Sequence, residues 1–159
     1  MKRILAPILL LTLLFPSLAY GVKENELLSR DGLSYKPFSN VPFTGKTTGS
    51  IQGTFRNGKK HGPWTQYWFN GQLYVEGNYK DDKRDGPWVY YWNNGQLRAK
   101  ETYKDGKYDG PNVSYHDNGQ LESKGTYKNG RKDGPWVHYH KNGYINYRET
   151  YKNGKKVSD

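Results

Sequence analysis

From residue 53 onward, aromatic-rich runs are separated by tight-turn dipeptides. Trp88-Val89-Tyr90-Tyr91-Trp92 is one such run, and Leu97-Arg98-Ala99-Lys100 opens the next. A period of two bounded by Asn-Gly or Asp-Gly predicts β-strands joined as hairpins. The turn signals come in two series. One comprises Asn57-Gly58, Asp105-Gly106, Asn129-Gly130 and Asn153-Gly154; the other comprises Asn70-Gly71, Asn94-Gly95, Asn118-Gly119 and Asn142-Gly143.

The pattern repeats every 24 residues without a slip: residues 53–76, 77–100, 101–124 and 125–148, then a partial copy at 149–159. A fixed period of this size signifies a stacked repeat architecture. Two turns per period give two antiparallel strands per repeat. The expected fold is therefore all-β: an elongated, twisted, single-layer antiparallel β-meander of tandem hairpins. If the turn at Asn94-Gly95 has two residues, Trp88, Tyr90, Trp92, Leu97, Ala99 and Tyr103 share one face. Val89, Tyr91, Arg98, Lys100, Thr102 and Lys104 then share the other. Gly-Pro recurs at 62–63, 86–87, 110–111 and 134–135. Proline cannot donate to a ladder, so a bend or bulge is expected before each following strand.

Residues 20–52 are less regular. Asp31-Gly32 predicts a hairpin over Leu27 to Tyr35, Lys36 to Pro42 reads as a loop, and Phe43 resumes a strand. This region is expected to be a degenerate repeat that caps the stack. Residues 1–19 read as a signal-peptide helix: Lys2 and Arg3 precede an apolar run, and Ser17-Leu18-Ala19 has the small–x–small form of a cleavage site. Cleavage after Ala19 would give an exported protein, periplasmic or secreted, without a membrane span. The chain contains no cysteine, which excludes lipid attachment at a lipobox as well as disulfides and thiolate metal sites.

Composition sharpens this picture. Apolar residues make up only 33% of the chain but aromatic residues reach 16%, so the core must be built from rings. Net charge is +10, which favours anionic partners in general.

The consensus G-x-Y-K-N-G-K-x-D-G-P-W-x-x-Y-x-x-N-G-Q-L resembles the MORN-variant repeat of bacterial proteins over Gly53 to Lys156. The resemblance implies stacked hairpins in a single sheet and a role in interaction or scaffolding. It also implies kinship with YwqK-type antitoxin-like proteins of toxin–antitoxin modules, which meet their toxins in the cytoplasm, unlike an exported chain. The copies depart from the consensus at Asp82 in a turn, at Asn112 for tryptophan, at Glu101 and Glu149 for glycine, and at Tyr144 for glutamine.

The candidate interaction surface consists of the ring rows: Trp64, Trp88 and Trp136; Trp68 and Trp92; Tyr67, Tyr91, Tyr115 and Tyr139. These rings either pack with Leu73, Leu97, Leu121 and Ile145 as the core or form an open platform. A second candidate is a basic edge carrying Lys59, Lys83, Lys107, Arg131 and Lys155. Of His61, His116, His138 and His140, the last two share one face of one strand, with His116 in the register of His140, so a weak surface metal site is conceivable. A metal centre needs three or four convergent ligands, however, and the expected reading is histidine replacing an aromatic in a stacking row. No serine has a recurring base and acid beside it. No cofactor, metal or catalytic activity is expected. The expected function is protein–protein interaction or scaffolding. Binding of envelope glycan such as peptidoglycan through the aromatic rows, and antitoxin-like neutralisation of a partner, are the alternatives. Export argues against nucleic acid.

Overall fold

The computed structural model describes residues 21–158; the expected leader, Met1 to Ala19, lies outside them. The strands in order are β1 (Val22–Lys23), β2 (Leu28–Arg30), β3 (Leu33–Tyr35), β4 (Gly45–Thr48), β5 (Ile51–Arg56), β6 (Lys59–Tyr67), β7 (Leu73–Lys80) and β8 (Lys83–Arg84). They continue with β9 (Gly86–Tyr91), β10 (Leu97–Lys104), β11 (Lys107–Tyr108), β12 (Gly110–Tyr115), β13 (Leu121–Lys128), β14 (Arg131–Tyr139), β15 (Ile145–Lys152) and β16 (Lys155–Ser158). From β4 onward the strands pair antiparallel in chain order in one sheet, β8 with β9 and β11 with β12 each being the two parts of one interrupted strand, so the meander is as expected. The one helical element among the described residues is a 3₁₀ turn at Glu24–Glu26. The β2–β3 hairpin forms about Asp31-Gly32, and β1 pairs parallel with β4, covering the N-terminal edge.

The two turn series have different geometries. At Asn57, Asp105, Asn129 and Asn153 the residue before glycine has φ near +50°, as a two-residue primed turn requires. Asp81 and Asp82 adopt the same conformation (φ 49° and 67°) despite the missing glycine. Each of these turns is docked on the preceding hairpin: the Asp82, Gly106 and Gly130 amides donate to the carbonyls of Lys60, Arg84 and Tyr108 at 2.9, 2.9 and 2.7 Å.

The second series corrects the two-residue expectation. Trp92 N–H donates to Gln96 O (2.8 Å) and Gly95 N–H to Trp92 O (2.9 Å), which encloses a three-residue loop with Gly95 at φ 81°. The Asn94 side chain has another task. Its Oδ1 accepts the Gln96 N–H (3.0 Å), and its Nδ2 donates to Asp117 O of the next repeat (3.1 Å). Asn70 and Asn118 do the same.

The longer loop is followed by a bulge: Tyr91 pairs with Leu97 and Tyr90 with Ala99, leaving Arg98 extra. The two one-residue offsets cancel. Ala99 and Tyr103 therefore keep the face assigned from sequence, but Leu97 and Arg98 exchange faces. Leu73, Leu97, Leu121 and Ile145 consequently pair with Tyr67, Tyr91, Tyr115 and Tyr139, away from the buried rings. At Gly-Pro two extra residues enter the strand, as between Phe55↔Lys60 and Gly53↔Trp64, and an even insertion leaves the faces unchanged.

The core is a file of rings on one face. Phe43, Phe55, Trp64, Tyr79, Trp88, Tyr103, Tyr108, Tyr127 and Trp136 follow one another with centroids 4.5–6.3 Å apart. Trp64, Trp88 and Trp136 keep 4%, 1% and 3% exposure. Each indole lies against a glycine: a Cβ at Gly53, Gly77 or Gly125 would sit 2.0, 2.3 or 2.2 Å from the Trp64, Trp88 or Trp136 ring. Lys60, Arg84 and Lys132 cover the outer indole faces at 4.2, 4.4 and 4.3 Å. In the third repeat the arrangement changes as a unit. Tryptophan becomes Asn112, the covering cation becomes Tyr108, and the glycine becomes Glu101, which accepts hydrogen bonds from Tyr103 (2.7 Å) and Tyr108 (3.3 Å).

Two predictions follow from this packing. Trp136→Ala should lower stability by about 3–5 kcal/mol, as expected for an aromatic core residue, measured by denaturant melts. Asn112→Trp alone should destabilise by roughly 1–3 kcal/mol, because Glu101 occupies the space an indole needs. The triple variant Glu101→Gly/Tyr108→Lys/Asn112→Trp should recover most of that loss; a triple variant no better than the single one would refute the unit-wise exchange.

Candidate binding surfaces

The structure separates the predicted site residues into three groups. Trp64, Trp88 and Trp136 belong to the core and not to an open platform, because each indole covers its glycine and is buried. Trp88 Nε1 donates to Asn78 O at 3.2 Å and Trp136 Nε1 to Thr126 O at 3.3 Å.

Trp68 and Trp92 lie on the same face at the edge formed by the three-residue loops and are half-buried. Their Nε1 atoms donate to Tyr91 O and Tyr115 O, each 3.2 Å away in the next repeat. His116 fills the same slot, with Nε2 3.0 Å from Tyr139 O. One bond per repeat thus fixes each ring. The bulge residue beside each ring varies: Tyr74 packs on Trp68 (4.4 Å), Arg98 stacks on Trp92 (4.9 Å), and Glu122 and Asn146 follow.

Tyr67, Tyr91, Tyr115 and Tyr139 lie on the opposite face. There a second cross-strand row runs Val89–Lys100–Val113–Lys124–Val137–Arg148. Every strand here alternates a valine with a cation across the sheet, and no second layer covers it among the described residues. Tyr91 Oη donates to Glu76 Oε1 at 3.0 Å, and burial followed by that carboxylate raises its pKa.

The basic edge is a column beside the primed turns. Arg56↔Lys59, Lys80↔Lys83, Lys104↔Lys107, Lys128↔Arg131 and Lys152↔Lys155 are direct cross-strand pairs of like charge. Such pairs are unfavourable. Arg56 is relieved by Asp81 at 3.2 Å.

A polar knot sits between the second and third repeats. Arg84 Nη1 donates to Tyr90 Oη (2.5 Å) and Tyr103 Oη (2.9 Å), and Tyr103 donates on to Glu101. Burial and then Glu101 push the Tyr90 phenol up to about 12. Burial, then Tyr108 and Glu101, push Tyr103 up as well. These phenols stay protonated as donors and are not poised as bases. Ser114 Oγ and Ser123 Oγ lie 2.7 Å apart and hydrogen-bond to each other. Among the described residues no three His, Cys, Asp or Glu side chains converge on a metal position.

Three features escaped sequence reasoning: the bulge residues Tyr74, Arg98 and Glu122; the substitution of Tyr108 for a lost indole; and the valine–cation row. Aligning the repeats position by position was the available signal, since Glu101, Tyr108 and Asn112 all deviate in the same copy.

The profile of the family described as MORN repeat variant matches four times, at residues 60–81, 84–105, 108–129 and 132–153. No curated protein matches. Among solved structures, a chain from "Crystal structure of GtfA/B complex bound to UDP and GlcNAc" is similar at 12% identity and a TM-score of 0.25. The alignment covers 81% of this chain and 26% of that one, so this chain spans about a quarter of its length, and a likeness at that level carries no functional argument.

His138 yields a pH prediction. Its ring is stacked on Tyr147 (centroids 4.3 Å) and near Trp136 (6.2 Å), with Glu149 3.6 Å from Nε2. Burial first, and Lys132 second, lower its pKa below 6.5, against the opposing pull of Glu149 and Glu122. The unfolded chain therefore binds this proton more readily than the folded one. The stabilising contribution is complete above about pH 6.5 and is lost as pH falls below it. Thermal melts at pH 7.5 and 5.5 should show a drop in Tm that shrinks in His138→Tyr, the variant carrying the ring already present at Tyr90.

Proposed function

The chain belongs to the MORN-variant repeat family, and on that premise we propose that it is a non-enzymatic, exported binding protein that docks a partner protein on its valine–cation face. The observation carrying this reading is the uncovered row Val89–Lys100–Val113–Lys124–Val137–Arg148 with its flanking tyrosines. Equivalent residues recur every two strands, about 9.5 Å apart. The row offers apolar area and cations in fixed alternation, which suits a partner surface with carboxylates set among apolar groups. The buried rings of the opposite face, Trp64, Trp88 and Trp136 among them, are committed to the core and cannot be surrendered to a partner without unfolding. Export is supported by the leader expected at Met1 to Ala19.

Val113 and Val137 each lie between two cations of neighbouring strands, so glutamate is tolerated at either position. In an affinity capture from envelope extract, wild-type protein should retain a discrete partner that Val113→Glu/Val137→Glu loses, while its melting temperature stays near that of wild type. Capture of no protein, or of the same partner by both forms, would refute this reading.

A further inference from the structure

On the ring-bearing face the third repeat contains a gap. One cross-strand row runs Tyr90–Ala99–Ser114–Ser123–His138. Its two ends are large rings and its three central residues are small. The neighbouring row has lost its ring as well, at Asn112. Elsewhere the same place is filled: Tyr74 packs against Trp68 and Tyr90 (4.4 and 6.2 Å), and His138 stacks on Tyr147 (4.3 Å). Here a hollow of about 280 Å³ remains, with Ala99 and Ser114 at its base and Tyr90, Trp92, Glu101 and Glu122 around it. A second hollow, of about 520 Å³, shares Trp92 and Glu122 with it and extends towards Trp68 and His116.

Two of the polar side chains lining the gap, Arg98 and Glu122, make no hydrogen bond among the described residues. Arg98 is held on the Trp92 ring (4.9 Å) with its guanidinium donors unused by any described residue. Glu122 is exposed and has no hydrogen bond or ion pair, although it lines the same hollow as Arg98. Both Glu101 oxygens already accept from tyrosines, so that carboxylate is a fixed wall. The ring positions are set by bonds to the next repeat, so the site is formed before any ligand arrives.

We infer that this gap in the third repeat is a carbohydrate-binding site that takes one pyranose unit of a neutral glycan, with a neighbouring unit reaching the Trp92–His116 hollow. A sugar ring has an apolar C–H face, which suits the negative face of an aromatic ring, and a rim of hydroxyls that both donate and accept. Arg98 supplies donors, Glu122 supplies acceptors, and Ser114, already bonded to Ser123, keeps a free lone pair as a further acceptor. An apolar site with a few placed polar groups is the usual form of a small-ligand pocket. A polyanion is disfavoured by Glu101 and Glu122. A cationic group is disfavoured by the charge of the Arg98 guanidinium, which lines the same hollow. The site is independent of the valine–cation face, so either can operate without the other.

Calorimetric titration of the full chain with chitotetraose and with cellotetraose tests this, the pair differing in the acetamido group. Saturable binding of at least one is expected. Glu122→Ala should weaken it about tenfold or more. Ser114→Tyr restores the ring of the second repeat, so it should abolish binding and leave the melting temperature near that of wild type. No saturable heat with either sugar, or wild-type affinity in both variants, would overturn the assignment.

Discussion

The contact on which this sheet depends is an indole lying on bare backbone. Trp64, Trp88 and Trp136 can be buried without a second layer because Gly53, Gly77 and Gly125 leave no Cβ beneath them. The ring then lies low enough to reach the next ring in the file, and a lysine or arginine stem closes it from above. A chain that is only 33% apolar thus obtains a dry core from a single layer. The same contact explains why the third repeat changes at three positions together: once the indole is gone, the glycine and the covering cation have no further task.

The two long edges serve different purposes. At the primed turns the backbone itself reaches back to the preceding hairpin. At the three-residue loops asparagine and the Trp68, Trp92 and His116 rings reach forward to the next one. Every repeat is therefore tied at both ends, and the residues held constant between copies are those that turn, cover and tie. Residues that vary collect on the ring face beside the loops, where Tyr74, Arg98, Glu122 and Asn146 succeed one another in one slot.

The 24-residue period, strand order, the primed turns and the N-terminal hairpin were legible in the sequence because each depends on local chemistry at a fixed spacing. The faces of Trp88, Tyr90, Ala99 and Tyr103 were also legible, although through a two-residue loop that does not exist; the longer loop and the Arg98 bulge compensate. Leu97 and Arg98 were misplaced because they lie between those two offsets. Whether the tryptophans form core or platform could not be settled from spacing, since it depends on the close approach of Gly77 to Trp88 across strands. The hollow was invisible for a related reason: it arises where several side chains are small at once on different strands.

The column of like-charged pairs has a consequence for how such a chain changes over generations. Successive pairs are about 9.5 Å apart, slightly more than the screening length of about 8 Å at physiological ionic strength. Each pair therefore feels little beyond its immediate neighbour, and repulsion accumulates at a constant rate per unit, as ring packing does. Gain or loss of a 24-residue segment by unequal recombination would then leave the balance per unit unchanged. Array length is free to drift, and a copy such as the third can diverge without the rest of the array having to adjust.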